Sequence, residues 1–202
     1  MIEVEIKVKI SDPELILQKF KDNNGVYKLS LLHEDTYFNM PKGLRDFKET
    51  DEALRLRKSI EFHKFADKTK RTTNHFITYK GKKMDLFTKT RNEIDIKIDD
   101  SQEMKKILEE LGFQKILTVK KHRELYEFEF ENYYIEVLLD YLPILEQYFL
   151  EAEFLLDSDE FLEEIRKVLF DFLSKLGIKK EESIRKSYLE LIAEKLKENQ
   201  KI

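Results

Sequence analysis

The sequence predicts an α+β fold: a closed or nearly closed barrel of about eight antiparallel strands, with helices packed outside it. Three observations lead there. Strand-like segments alternate apolar and charged residues, the period of a sheet with two unlike faces. Three of these segments are each followed by a capped amphipathic helix and a glycine stop, a self-similarity that suggests pseudo-symmetry. Charges of one sign also recur in pairs, two residues apart, on strand after strand.

The first repeat opens with Glu3-Val-Glu5-Ile-Lys7, with Val4, Ile6 and Val8 on the other face. Ser11-Asp-Pro-Glu14 reads as a helix start with capping-box spacing and proline in the first turn. Ile16 and Phe20 share a helix face, and Asn24-Gly25 is the stop, where glycine tolerates a left-handed cap. The second repeat runs through Glu93-Ile-Asp95-Ile-Lys97 to Asp100-Ser-Gln-Glu103. Its helix carries Met104, Ile107, Leu108 and Leu111 and closes at Gly112. The third is Glu151-Ala-Glu153, then Asp157-Ser-Asp-Glu160, then Phe161, Ile165, Val168 and Phe172 on one face, with Gly177 as the stop.

Between the repeats lie longer strands. Asp35 to Phe38 leads into a loop at Pro41–Glu52, and Ala53 to about Phe65 is the next strand. Asp67–Arg71 reads as a solvated hairpin tip, returning through His75 to Gly81. Leu117–Phe130 and Tyr133–Leu139 form a hairpin about Glu131-Asn132, and Tyr148–Leu156 follows a turn. A last amphipathic helix is expected over about 183–199. Gly (5) and Pro (3) are scarce and no flexible linker is present, so residues 1–202 read as one domain.

With 41% hydrophobic residues, 15 Phe and 9 Tyr, the chain can bury a real core. Charged residues reach 39%, well above the usual level of about a quarter, yet 37 Lys and Arg against 41 Asp and Glu leave a net charge of only −4. That balance argues against nucleic acid as the partner. The absence of cysteine excludes disulfides, thiolate metal sites and cysteine nucleophiles. No apolar run approaches the roughly 18 residues of a membrane span, and the charged start lacks a signal-peptide core. The expected compartment is the cytoplasm, with no membrane partner.

The acid pairs are Glu3/Glu5, Glu93/Asp95 and Glu151/Glu153, and the base pairs are Arg55/Arg57 and Lys121/Arg123. On any one strand such a face reads as solvated surface. Repeated along the chain, it reads differently, because like charges two apart repel unless opposite charges come between them. Converging inside a closed sheet, these faces must hold water, ion pairs or ligands. Acid pairs are hard oxygen ligands suited to Mg²⁺ or Mn²⁺, and arginine pairs grip phosphate oxygens. A triphosphate with bridging metal ions satisfies both, at a size that a narrow eight-stranded lumen accepts.

Glu3-x-Glu5-x-Lys7 resembles the ExExK signature of the CYTH superfamily, the triphosphate tunnel metalloenzymes. This superfamily groups class IV adenylyl cyclases, thiamine triphosphatases, inorganic triphosphatases and RNA triphosphatases. Asp35-Thr-Tyr-Phe38, Ala53-Leu-Arg55-Leu-Arg57, Thr78-Tyr-Lys80-Gly81, Arg91-x-Glu93, Lys121-x-Arg123, Asp140, Glu151-x-Glu153 and Ser187-Tyr188-Leu follow in family order, over nearly the whole chain. The stretch from Tyr37 to Arg55 looks like the adenylyl cyclase branch. The resemblance implies that Glu3, Glu5, Glu151 and Glu153 hold metals, with Asp140 and Glu93 assisting. It implies that Lys7, Arg55, Arg57, Lys80, Lys121 and Arg123 hold phosphate oxygens, and that Arg185 or Lys186 closes one mouth. The sequence departs from the family after Gly81, where Lys82-Lys83 replaces the usual Gly-Pro, and at Pro143–Gln147, which is not glycine-rich.

Two enzymatic functions follow from the resemblance, and a third reading competes with them. The first is metal-dependent hydrolysis of tripolyphosphate, thiamine triphosphate or a nucleoside triphosphate. The second is cyclisation of ATP to cyclic AMP and pyrophosphate. The third is a module that binds polyphosphate or 5′-triphosphate RNA ends without chemistry. A homodimer is compatible with each. His122 alternates away from the charged face, His33, His63 and His75 lack metal-ligand spacing, and Lys97 reads as a strand-end surface lysine.

Overall fold

The computed structural model describes residues 1–65, 70–84 and 88–199. Within them run eight strands: β1 (Ile2–Ile10), β2 (Val26–Asn39), β3 (Ala53–Phe62), β4 (Thr72–Lys80), β5 (Arg91–Ile98), β6 (Gln114–Phe130), β7 (Tyr133–Leu142) and β8 (Gln147–Leu156). Four α-helices accompany them: α1 (Pro13–Asp22), α2 (Ser101–Glu110), α3 (Leu162–Lys175) and α4 (Tyr188–Asn199). The strands close in the order β1-β5-β4-β3-β2-β6-β7-β8, every neighbour antiparallel. The α+β barrel with outside helices is thus the architecture expected from the sequence. The expected turn at Asp67–Arg71 lies outside the described residues as far as Thr69.

The main apolar core sits outside the barrel. Val4, Ile6 and Val8 of β1 point outward with Ile135, Val137, Leu150 and Ala152, all buried beneath Ile16 and Phe20 of α1 and Ile165, Leu169 and Phe172 of α3. A smaller cluster joins Leu108 of α2 to Phe38, Leu54 and Leu56. With the apolar faces turned out, most of them beneath helices, alternation sends the charged faces into the lumen.

The three sequence repeats are β1–α1, β5–α2 and β8–α3. Their strands are neighbours in the barrel, in the order β8, β1, β5, so the pseudo-symmetry gathers all three acid pairs on one wall. The helix ends differ in detail from the expectation. Asp12, not Ser11, caps α1, its side chain accepting from the Leu15 N–H, and Pro13 takes the first turn. The left-handed residue after α1 is Asn24 (φ 60°), not Gly25. Glycine is needed at 25 because a Cβ there would lie 2.4 Å from Cζ of Phe128. Helix α3 has no side-chain cap, whereas Gly112 and Gly177 are left-handed as expected.

The last helix begins at Tyr188 rather than 183. Residues 180–182 form a 3₁₀ turn, and the following segment is held to β1. Ser183 bridges Val8, and Ile184 N–H donates to Lys7 O at 2.7 Å. That tether keeps the segment extended before α4 turns across one end of the barrel. No helix among the described residues is long and apolar enough to cross a membrane.

Candidate active site

The acid wall is set by the β1–β8 register, which places Glu5 opposite Glu153 and Lys7 opposite Glu151. Glu3, Glu5 and Glu153 each present an oxygen within 4.8 Å of the others. Burial, and then the neighbouring Glu3, push the Glu153 carboxyl well above the usual range. Burial likewise raises Glu3 and Glu5, although Lys80 and Lys89 oppose it. Three carboxylates this close, Glu5 buried and Glu3 and Glu153 half-buried, with too few cations among them, suit a divalent cation with hard-oxygen preference. Glu151 differs. Burial pushes it up, but Lys7 (3.0 Å), Lys89 (3.6 Å) and the contacting Arg123 outweigh that and hold it well below the usual range.

Lys7 is fully buried. Its ammonium lies 3.6 Å from the centroid of the Tyr188 ring and donates to Lys186 O at 3.3 Å. Burial and the nearby Lys89 bring it down to about 7.

The basic wall faces the acids from β3 and β6, on either side of β2. Asp35 of β2 stands between the two. Arg57 grips it through Nε at 2.7 Å and a terminal nitrogen at 2.8 Å. Burial raises the Asp35 carboxyl, yet Arg57 and Arg55 hold it well below the usual range. Arg123 makes a fork onto Asp140 at 2.7 and 2.6 Å. Lys121 reaches the same carboxylate at 3.3 Å, and burial with Arg123 lowers its ammonium to about 8. Arg55 donates to the Thr78 hydroxyl at 2.9 Å, while its buried Nε has no hydrogen-bond partner among the described residues.

These walls enclose a cavity of about 570 Å³. Its mouth lies between the β2–β3 loop, with Phe47, Asp51 and Glu52, and α4, with Tyr188, Leu189, Glu190 and Ala193. Lys83 joins the two sides, 2.5 Å from Asp51 and 3.7 Å from Glu190. Tyr188 donates its hydroxyl to Asp140 at 2.9 Å, so α4 is fastened directly to the basic wall.

Of the twelve residues singled out from the sequence, ten line this cavity: Glu3, Glu5, Lys7, Arg55, Arg57, Lys80, Lys121, Arg123, Glu151 and Glu153. Glu93 and Asp140 stand behind it. Glu93 pairs with Lys80, and the wholly buried Asp140 is engaged by Arg123, Lys121 and Tyr188. Lys186 pairs with Glu194 at 2.8 Å and meets the lumen only through its carbonyl. His33 is buried against Ser59 and His122 faces out. Sequence reasoning passed over Lys89, 2.5 Å from Glu5, and named Asp35, Arg91 and Lys83 without giving them a role in the site. Lys89 and Arg91 continue the two-residue spacing of Glu93 and Asp95 backwards, so that pattern carried the signal.

An eight-stranded barrel enclosing a carboxylate cluster and a bank of cations is the build of a triphosphate tunnel protein. The family profile of the CYTH domain matches residues 1–188, and the chain belongs to the CYTH family. It is 39% identical over 192 residues to a protein of Methanocaldococcus jannaschii named putative adenylate cyclase MJ0240, covering 95% of this chain and 98% of that one. The solved structure of PH1819 from Pyrococcus horikoshii superposes with a TM-score of 0.80 at 34% identity, over 96% of this chain and 99% of that chain. A Hippeastrum protein, described as a putative adenylyl cyclase with a dominant triphosphatase activity, shares the fold at 16% identity and a TM-score of 0.64, over 96% of each chain.

Proposed function

We propose that the chain is a divalent-metal-dependent triphosphatase, splitting inorganic, thiamine or nucleoside triphosphate into phosphate and a diphosphate. The observation that carries this reading is a single cavity with Glu3, Glu5 and Glu153 on one wall and Arg55, Arg57, Lys121 and Arg123 on the other. Glu3, Glu5 and Glu153 would hold Mg²⁺ or Mn²⁺, which when bound supplies Lewis acidity and neutralises phosphate charge.

The arginines and lysines orient the phosphate chain and take up the charge that moves onto its oxygens as the terminal P–O bond breaks. Arg55 is ready for that task, because its side chain lines the cavity and its buried Nε has no protein acceptor to give up. Asp35 and Asp140 hold Arg57 and Arg123 by their forks, so the guanidiniums are oriented before substrate arrives. A water oxygen attacks the terminal phosphorus in line, the bond to the bridging oxygen breaks, and the diphosphate leaves. Glu93 and Asp140 act on this scheme as supports of Lys80 and Arg123.

A second reading is cyclisation of ATP, in which the ribose 3′-hydroxyl attacks the α-phosphorus and pyrophosphate leaves. Two observations favour it. The mouth carries apolar surface from Phe38, Phe47, Ile116, Leu189 and Ala193, where a nucleoside would fit. The Methanocaldococcus jannaschii relative also carries the cyclase name.

One incubation panel decides. Tripolyphosphate, thiamine triphosphate and ATP are supplied with Mg²⁺ or Mn²⁺, and phosphate, pyrophosphate and cyclic AMP are all measured. Phosphate release supports hydrolysis. Cyclic AMP with pyrophosphate replaces it by the second reading. Binding without turnover of any substrate leaves the polyphosphate or 5′-triphosphate RNA module.

A further inference from the structure

The barrel's seam is short. Strand β1 meets β5 at only two residue pairs, Ile2 with Asn92 and Glu3 with Arg91. Beyond that point β5 still pairs with β4 on its other side as far as Ile98. On its β1 side, from Ile94 to Ile98, no strand or backbone hydrogen bond meets it among the described residues. From Ile94 to Lys97 the stretch is exposed on its faces as well as its edge, while Ile98 is half-buried against the cluster of Leu108 and Phe38. Ile94 is 59% and Ile96 54% exposed, and Asp95 and Lys97 are exposed with them. An edge that is open, regular and apolar on one face is a template for another strand.

We propose that two copies of this chain pair edge to edge through β5, antiparallel, with Ile96 opposite Ile96 of the second copy. Backbone direction and charge single out this register together. The Glu93 N–H donates to Met1 O at 3.1 Å, so residue 93 turns its backbone groups toward the β1 side. Alternation along a strand then turns those of Asp95 and Lys97 to the same, open side. Centring the two-fold on Ile96 places Asp95 opposite Lys97 of the second copy, twice over. These are the residues free to exchange both backbone bonds, and their side chains carry opposite charges.

The neighbouring registers fail. Centring on Asp95 sets two carboxylates face to face and asks for the backbone of Glu93, which Met1 already occupies. Centring on Lys97 sets lysine against lysine and Asp95 against Asp99. In the favoured register Ile94, Ile96 and Ile98 of both copies form one stripe on the outer face. Asp95 accepts from the Thr78 hydroxyl and lies 3.9 Å from Arg55, whereas Lys97 has no ion pair among the described residues, so the pairing supplies the partner Lys97 lacks. A five-residue ladder of this kind gives a concentration-dependent dimer.

The test is sedimentation velocity across a wide concentration range, on the full chain. Wild type is expected to dimerise with rising concentration. Asp95→Lys and Lys97→Asp are each expected to weaken self-association by at least about tenfold, since each puts two like-charged pairs across the two-fold. Mixed together, these two variants are expected to associate with each other, because both cross pairs become attractive. Ile96→Arg, at an exposed position, is expected to be monomeric, and it serves if Asp95→Lys, which loses the acceptor of Thr78, unfolds. Melting curves confirm that each variant is folded. A wild type that stays monomeric throughout overturns the proposal. So does an Ile96→Arg or Lys97→Asp variant that dimerises as wild type does, or a mixture of two folded charge variants that fails to associate.

Discussion

Arg57 and Asp35 face each other directly across β3 and β2, joined by two hydrogen bonds of 2.7 and 2.8 Å in a buried setting. The pair divides the basic wall between the arginines of β3 and the cations of β6. A carboxylate in the middle of an anion-binding surface is tolerable only if it is tied to a cation. Here the tie also fixes the direction of the guanidinium.

Asp35 should therefore set part of the protein's acid sensitivity. Its folded pKa lies well below its ordinary value, so its contribution is complete above about pH 4 and is lost as pH falls toward the folded value. Asp35→Asn should cost about 3 kcal/mol at pH 7 in urea unfolding, because Arg57 loses its buried partner. It should also flatten the stability loss below pH 4. An unchanged acid slope would remove Asp35 from this role.

The carboxylate cluster should behave in the opposite sense. The Glu153 carboxyl is raised, so without metal the folded protein loses stability as pH rises from the unfolded value near 4.3 toward the folded one. Glu153→Gln should thus raise the melting temperature in chelator by a few degrees, roughly 1 kcal/mol of relieved repulsion. It should also abolish most of the stabilisation by Mg²⁺ or Mn²⁺, which for wild type should reach about 2.7 kcal/mol at a hundredfold excess over Kd. A wild-type melting temperature indifferent to both ions contradicts the metal assignment.

Arg55 offers the cleanest test of anion binding, since its Nε has no acceptor to lose. Arg55→Ala should weaken tripolyphosphate binding about 100-fold by calorimetry, and Arg55→Lys should recover only part, because an ammonium cannot form the planar fork. Undiminished affinity in Arg55→Ala would place the phosphates elsewhere.

Gly25→Ala should destabilise the protein without touching the lumen. The new methyl would meet Phe128 at 2.4 Å, and Phe128 is itself buried against Phe20 and Phe172. Overpacking of this kind costs about 1–3 kcal/mol, read as a lower urea midpoint with unchanged tripolyphosphate affinity. A neutral substitution would show that the ring has room to turn.

The strands were legible because they alternate strictly, and alternation is all that is needed to sort Glu3, Glu5, Arg55, Arg57, Lys121 and Glu153 to one side. Closure of the sheet around that side rested on the recurring like-charge pairs and the family resemblance. The sequence could not say which of them stand in the cavity and which stand behind it. Asp140 and Glu93 share the parity of the lining residues, and only their partners, Arg123 and Lys80, draw them back. Lys83 was illegible for another reason. It lies in an irregular stretch where no period applies, and its importance comes from Asp51 and Glu190, far away in the chain. The start of α4 was misjudged because the residues ahead of it have helical pattern but are captured by β1.

The zipper of β1 onto β8, from Ile2 with Leu156 to Ile10 with Tyr148, has a bearing on how the molecule is made. The metal-type cluster takes Glu3 and Glu5 from the first strand and Glu153 from the last, so it cannot exist until nearly every strand has been laid down. Closure of such distant segments is slow and comes late in folding. A nascent or misfolded barrel should consequently be blind to divalent ions, and competence to bind them would mark the moment at which the ring has shut.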